Sequence, residues 1–433
     1  MKGVHPQLKK VLFSIIGIAG FISFYGAVCF DSLAEKNQST ANTRNASASD
    51  AESDTKSDTI SEAFSIPTSS SGGWAVVCKY EFNNGRAETQ AIEVDDEGNI
   101  FISGMASGDV DFTGVGKEYT PLDGFLGGPF IAKYDRNGKF GWLKSWGNYG
   151  YTSANDIAID KNGMIYVCGS CSGEKNPARE SESPKYQYFQ NCFLAKFDLH
   201  GNSIWEKTWD NSNYFGSASL TINSNGQILV CGQVDGDSDF DPGPNEAKFN
   251  LDSGGSFLSC FDSEGNFKWV RIAGGDRDNR FRFGSVASDP DGNVYLAGSM
   301  DGKAAIKNEP DADIVCLSNG GIDSFLARLT NDGNINWVKT WGGPFDDQVK
   351  ALSVGPSGDI VLVGQFDSKV DFDPSERVFM LESVGMPDAF ICQFDPHGNF
   401  INAVGWGGPG MDYADSLAID NDGNYLTAGG FQG

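Results

Sequence analysis

Two short patterns alternate through most of this chain, and their even spacing restricts it to a small set of folds. One reads AIEVDDEGNIFISG at residues 91–104 and returns as DIAIDKNGMIYVCG (156–169), SLTINSNGQILVCG (219–232), SVASDPDGNVYLAG (285–298), ALSVGPSGDIVLVG (351–364) and SLAIDNDGNYLTAG (416–429). Its turn glycines, Gly98, Gly163, Gly226, Gly292, Gly358 and Gly423, are 65, 63, 66, 66 and 65 residues apart. The other reads AKYDRNGKFGWLKSW (132–146), AKFDLHGNSIWEKTW (195–209), SCFDSEGNFKWVRIA (259–273), ARLTNDGNINWVKTW (327–341) and CQFDPHGNFINAVGW (392–406). A fixed period of this kind is the mark of a repeat architecture, in which each unit buries its faces only against its neighbours.

Each pattern is an apolar run, a glycine turn and a second alternating run, which is the pattern of a tight β-hairpin. One period therefore supplies four strands, here called A, B, C and D. Four short antiparallel strands repeated around an axis predict an all-β fold, a β-propeller of four-stranded blades. All nine tryptophans, Trp74, Trp142, Trp146, Trp205, Trp209, Trp269, Trp337, Trp341 and Trp406, fall in strand D or its equivalent. Residues four apart on a strand share a face, so Trp142 and Trp146 are expected to pack toward one neighbouring unit.

The ends bear on blade number. Residues 74–81 (WAVVCKYE) match a strand D with no A, B or C before it, and the last unit has A and B before the sequence stops at Gly433. A six-bladed ring whose last blade is completed by this N-terminal strand is the economical expectation. A truncated seven-bladed ring is the alternative.

The pattern D-x-x-G-N-x-Y-x-x-G, then D-x-F-L-A-K-x-D-x-x-G-N-x-x-W, then W-G-G, resembles the bacterial SBBP-type β-propeller repeats over the chain from about Trp74 onward. DFDPGP (239–244) and DFDPSE (371–376) resemble insertions in that family. The resemblance implies a propeller in an exported bacterial protein, and it implies little about activity, because most members are uncharacterised. The G-x-x-x-W spacing is also similar to the tryptophan-docking motif of quinoprotein propellers.

Ahead of the repeats, Lys9 and Lys10 precede twenty uncharged residues, 11–30, and Ser32 to Ala34 offer small residues for cleavage. Residues 1–34 read as a signal peptide or, since the apolar run is just long enough to span a bilayer, a membrane anchor. Residues 35–73 are rich in Ser, Thr, Ala, Asn and Asp with little that could be buried, the composition of a disordered linker. The repeat domain then occupies 74–433, outside the cytoplasm: secreted, periplasmic or at the cell surface, with membrane contact only through the N-terminal segment.

A formal net charge of −26 excludes a nucleic-acid partner on electrostatic grounds. Nine cysteines form no CxxC pair. Cys168 and Cys231 hold one repeat position and read as small buried thiols, with Cys168–Cys192 the disulfide to test. Of three histidines, His5 precedes the apolar run while His200 and His397 share a hairpin-turn position, so neither a Ser/His/Asp triad nor a histidine metal site is expected.

In a four-stranded meander the A–B and C–D turns share one end, and the B–C and D–A loops share the other. The B–C connections are the long and variable ones, which marks their end as the working face. It is rich in aspartate. Asp235, Asp237, Asp239 and Asp241 stand at every second residue and are the candidate ligands for Ca²⁺, provided the loop curls, since an extended strand would spread them over about 20 Å. The D-x-x-G-N turns need no metal, because Asx-turn hydrogen bonds and a glycine at positive φ account for them. The function expected is a binding or scaffold module for a glycan, a protein or a cation. A carboxylate-based polysaccharide hydrolase or lyase is the alternative, and a quinoprotein-like propeller is a further one.

Overall fold

The computed structural model describes residues 12–16, 25–29, 79–80, 86–113, 120–121, 127–146, 152–172, 190–209, 214–275, 281–307, 312–419 and 423–432. The linker at 35–73 lies outside them. The fold is all-β, built from antiparallel four-stranded sheets. Unit one pairs Arg86–Val94, Ile100–Ser107, Gly128–Tyr134 and Phe140–Ser145 in that order. Unit two repeats this with Thr152–Ile159, Ile165–Ser172, Gln190–Phe197 and Ser203–Trp209. In unit three the strands are Tyr214–Ile222, Ile228–Asp239, Lys248–Phe261 and Phe267–Gly275, and in unit four Phe281–Ser288, Val294–Ile306, Ile314–Leu329 and Ile335–Trp341. Unit five is Gln348–Val354, Ile360–Phe366, Asp388–Phe394 and Phe400–Trp406. Unit six has Tyr413–Ile419 as A and Tyr425–Gly430 as B.

Units three and four are stitched into one sheet, because the end of strand D in unit three pairs with the long B strand of unit four, Ala273 opposite Ile306 and Gly275 opposite Ala304. Residues 74–81, expected to complete the final sheet, are described only at Lys79–Tyr80, which pairs with Asp111 and Val110 of unit one. The strand beside Tyr425–Gly430 is Tyr25–Cys29, itself paired with Leu12–Ile16, and both fall in the segment read as signal or anchor.

The turns form as their residues dictate. In D-x-x-G-N the aspartate carboxylate accepts two backbone N–H groups; Asp198 Oδ1 accepts from His200 at 2.9 Å and from Asn202 at 2.9 Å. Gly201 closes the turn at φ 79°, a region that costs an L-residue energy.

Packing between units follows one rule. The first tryptophan of strand D lies on the C–D turn glycine of the next unit. A β-carbon added to Gly201 would meet Trp142 at 3.0 Å, one on Gly265 would meet Trp205 at 3.0 Å, one on Gly333 Trp269 at 2.8 Å, and one on Gly398 Trp337 at 3.0 Å. Indole N–H groups reinforce two of these contacts, Trp142 donating to Leu199 O and Trp269 to Asn331 O, both at 3.1 Å. The second tryptophan packs on the next unit's strand C: Trp146 on Phe197, Trp209 on Phe261 and Trp341 on Phe394. Both Trp142 and Trp146 thus face unit two.

Strand A completes the interface from the other side. Ile157 joins a buried cluster with Phe101 of unit one, Leu220 with Tyr166 of unit two, Val286 with Leu229 of unit three, and Leu352 with Tyr295 of unit four. Cys168, Cys192 and Cys231 are buried and form no disulfide. A Cys168–Cys192 disulfide does not form, because Cys192 stands opposite Ser170 while Cys168 stands opposite Leu194.

These contacts separate two glycines that look alike in sequence. Gly226 sits at φ 75° with nothing within 4 Å of an added β-carbon, so Gly226→Ala is expected to cost only the backbone strain, about 1 kcal/mol. Gly333→Ala adds a clash with Trp269 and is expected to cost roughly 3 kcal/mol. Chemical denaturation midpoints of the two variants check the difference.

Candidate functional site

The six A strands face a common space. Each is interrupted at the same place by a β-bulge against its B strand, between Thr89 and Ala91, Ala154 and Asp156, Ser217 and Ser219, Phe283 and Ser285, Val349 and Ala351, and Ala414 and Ser416. A bulge leaves one residue out of the ladder and re-aims its side chain. Those residues are Gln90, Asn155, Ala218, Gly284, Lys350 and Asp415. All except Ala218 line a cavity of about 860 Å³ to which all six A strands contribute.

A belt of hydrogen bonds holds neighbouring A strands in register around this space. Leu220 N–H donates to Asp156 Oδ2 at 2.7 Å, Val286 N–H to Ser219 Oγ at 3.3 Å, and Leu352 N–H to Ser285 Oγ at 3.1 Å. The acceptor is always the residue after the bulge. In units one and five that residue is Ala91 or Ala351, whose methyl cannot accept, so the belt runs from unit two to unit five.

The wall is polar, with Thr89, Gln90, Asn155, Ser219 and Thr221 alongside four charged groups. Burial, with a smaller push from Asp156, raises Glu93 to about 7. Burial likewise raises Asp156 to about 6, against the pull of the Leu220 and Ile157 N–H groups that it accepts. Asp415 is also raised by burial, opposed by Lys350, and Lys350 is lowered by burial. Desolvation therefore leaves Glu93 near half-protonation at neutral pH. Toward the A–B turns a second space of about 550 Å³ follows, with Ile159, Ile222, Val354 and Ile419 among its walls.

The aspartates expected to hold Ca²⁺ do not converge. Asp235, Asp237 and Asp239 are strung along the extended strand Ile228–Asp239, with Asp237 exposed opposite Asn250. Asp239 Oδ1 accepts the N–H groups of Ala247 at 2.8 Å and Asp241 at 3.2 Å, while Asp241 Oδ1 accepts Gly243 N–H at 2.7 Å. Unit five repeats this, with Asp371 accepting from Phe379 and Asp373, and Asp373 from Ser375. The phenylalanine between each pair is the anchor: Phe240 packs on Phe257 and Phe372 on Phe390. The D-F-D-P segment is a staple for the B–C loop. Among the described residues no group of three or more His, Cys, Asp and Glu is arranged to hold a metal ion. His200 and His397 lie in C–D turns, their backbone N–H groups bonded to Asp198 and Asp395.

Glu93, Asp156, Lys350 and Asp415 were not singled out by sequence reasoning, although a signal existed. The units align residue by residue, and Glu93 stands where the others have Ala158, Thr221, Ala287, Ser353 and Ala418. An acid on the cavity-facing strand among small neutral residues is the feature that only alignment of the A strands reveals.

No family model matches this chain. It is 23% identical over 409 residues to an uncharacterised WD repeat-containing protein of Acanthamoeba polyphaga mimivirus, covering 79% of this chain and 29% of that one. It is 22% identical over 223 residues to the regulatory protein FlaEY of Caulobacter vibrioides, covering 49% and 22%. The chain thus spans less than a third of either curated relative. Among solved structures, a protein of unknown function from Dyadobacter fermentans is similar at TM-score 0.40 and 11% identity, covering 79% of this chain and 95% of that one. Among the described residues no helix is long and apolar enough to cross a membrane.

Glu93 makes stability depend on pH. Its folded-state value of about 7 lies above the ordinary 4.5, so the folded protein holds a proton that the unfolded chain has lost. Stability therefore falls as pH rises from about 4.5 through 7. Glu93→Gln removes that slope: its melting temperature is expected to equal that of the wild type at pH 4 and to exceed it by about 2 °C at pH 8. Calorimetry at both pH values is the check.

Proposed function

We propose that this chain is a six-bladed, exported β-propeller of the SBBP-like type, acting as a binding module that takes a small polar ligand, such as the end of a glycan, into its axial cavity. The observation that carries this reading is the cavity itself: six equivalent strands, each bulged at one position, turn amide, hydroxyl and charged side chains into one space of about 860 Å³. A concave site with a few convergent polar groups is the usual form of a small-molecule site. Its bulges lie toward the B–C and D–A loops, the end where the connections vary. The relative described as WD repeat-containing supports the propeller reading.

Under this reading the ring closes between unit six and unit one, where Ile92 is 61% exposed although its counterparts Ile157, Leu220, Val286 and Leu352 are all below 9%. Lys79–Tyr80 stand where an outer strand leads into unit one. Tyr80 pairs with Val110, six residues past Gly104, as Gly275 of strand D pairs with Ala304, six residues past Gly298.

A glycan array probed with the purified chain is expected to yield a polar ligand whose binding weakens at least tenfold in Asn155→Ala and in Lys350→Met. Equal binding by both variants, or no ligand at all, removes the axial site. A second reading, a carboxylate-based hydrolase or lyase, is favoured by one observation: Glu93, near 7, beside Asp156, near 6. That combination suits an acid and a base. Under that reading polysaccharide cleavage is lost in Glu93→Gln while ligand binding persists.

A further inference from the structure

On the B–C and D–A face, outside the axial cavity, two pairs of aspartates are buried together at equivalent positions. Asp323 and Asp388 each stand two residues before a core phenylalanine of strand C, Phe325 and Phe390. Asp347 and Asp412 each stand three residues before the bulge of the following A strand, at the end of the loop W-G-G-P-x-x-D. Where an aspartate occupies one position, an aspartate occupies the other. The remaining units have Gly128 with Thr152, Asn191 with Phe215, and Gly255 with Phe281. The acids come as pairs.

All four are nearly inaccessible: Asp323 is 0% exposed, Asp347 1%, Asp388 4% and Asp412 2%. Backbone N–H groups donate to six of the eight carboxylate oxygens. Asp347 accepts from Gly343 at 2.6 Å and from Asp367 at 3.0 Å, and Asp412 accepts from Gly408 at 2.7 Å and from Gln432 at 3.2 Å. Asp323 Oδ2 accepts from Asn319 at 2.7 Å, and Asp388 Oδ2 from Val384 at 3.2 Å. The other oxygen of each strand-C aspartate, Asp323 Oδ1 and Asp388 Oδ1, is buried with no hydrogen-bond partner. A buried carboxylate oxygen without a partner is costly, and a second carboxylate beside it is costlier.

The unpartnered oxygens point to the same place in both units. Asp388 Oδ1 and Asp412 Oδ2 lie 2.4 and 2.7 Å from the point that a β-carbon on Gly407 would occupy, and Asp323 Oδ1 lies 2.5 Å from the matching point on Gly342. Only glycine leaves room for the carboxylates there. The two oxygens of the unit-five pair are thus close enough for one ion to bridge at the 2.3–2.6 Å typical of Ca²⁺. The charges acting on the unit-four pair are themselves acids: Asp301 and Asp346 on Asp323, and Asp323 and Asp367 on Asp347. A dication neutralises both members of a pair and gives the orphan oxygen a partner, leaving backbone carbonyls and water to complete the shell.

We propose that the Asp323–Asp347 and Asp388–Asp412 pairs each hold one divalent cation, Ca²⁺ in an extracellular setting, which ties the start of strand C to the loop entering the next unit. The sites do not depend on the axial cavity and stand or fall separately from it.

The test is equilibrium dialysis of the full chain against Ca²⁺ at one fixed neutral pH, after EGTA treatment, with thermal melting in parallel. Two bound Ca²⁺ per chain are expected, with a melting temperature several degrees higher than in EGTA. Asp388→Asn with Asp412→Asn is expected to leave one, and adding Asp323→Asn with Asp347→Asn to leave none. Asp235→Asn with Asp237→Asn is expected to keep both. Asparagine preserves shape and removes like-charge repulsion; should a double variant not fold, the single Asp323→Asn and Asp388→Asn variants and the wild-type stoichiometry still decide. Absence of bound Ca²⁺ in the wild type overturns the proposal, as do stoichiometries that the Asn variants leave unchanged. A calcium-insensitive gain in stability in the Asn variants at neutral pH also overturns it, and points instead to a proton shared within each pair.

Discussion

The contact on which this structure depends is an indole ring lying on a glycine. A four-stranded sheet has two apolar faces and cannot bury either one alone. Strand D of each unit solves this by placing a tryptophan over the C–D turn of the next, at Trp142 on Gly201, Trp205 on Gly265, Trp269 on Gly333 and Trp337 on Gly398. The glycine serves two ends at once. Its positive φ closes the hairpin, and its missing β-carbon admits the ring. The turn that shapes one unit is therefore also the socket that orders the next, which couples local folding to assembly.

At the inner edge a different device repeats. The bulge in each A strand frees one residue from the ladder, in five units toward the space the A strands share, while in units two to four the following residue accepts a hydrogen bond from the next unit. Cohesion and chemistry are thereby separated by a single position. Ser219 and Ser285 hold strands together, whereas Gln90, Asn155, Lys350 and Asp415 vary in charge and size without disturbing the ladder. Asp156 does both, which is why burial raises it even though two N–H groups stabilise its charged form.

The aspartates fall into three physical classes. Those in the Asp-x-x-Gly hairpin turns are half-buried, with Asp289 buried, and Asp135, Asp198 and Asp395 are held below their usual range by N–H donors and amide side chains that together outweigh desolvation. Those of the D-F-D-P segments are tied to loop N–H groups over a buried phenylalanine. The paired ones, at Asp323 with Asp347 and Asp388 with Asp412, are buried against each other, and burial raises Asp323, Asp347 and Asp388 above the usual carboxylate range. Composition alone cannot sort these classes, since all contribute alike to a charge of −26.

What the sequence by itself determined is the unit: its four strands, the turn chemistry, the period near 65 residues and the direction in which the tryptophans pack. These depend on interactions local in the chain or repeated at a fixed distance, so an alignment of the copies exposes them. Tertiary structure decided the rest. Asp235 to Asp241 looked like a ligand set because they alternate, yet an extended strand keeps them apart and loop N–H groups engage two of them. Glu93, Lys350 and Asp415 are far apart in sequence and sit in strands that read as ordinary core. Only the arrangement of six A strands about one space brings them together, and burial, with Asp156 nearby, raises Glu93 to about 7.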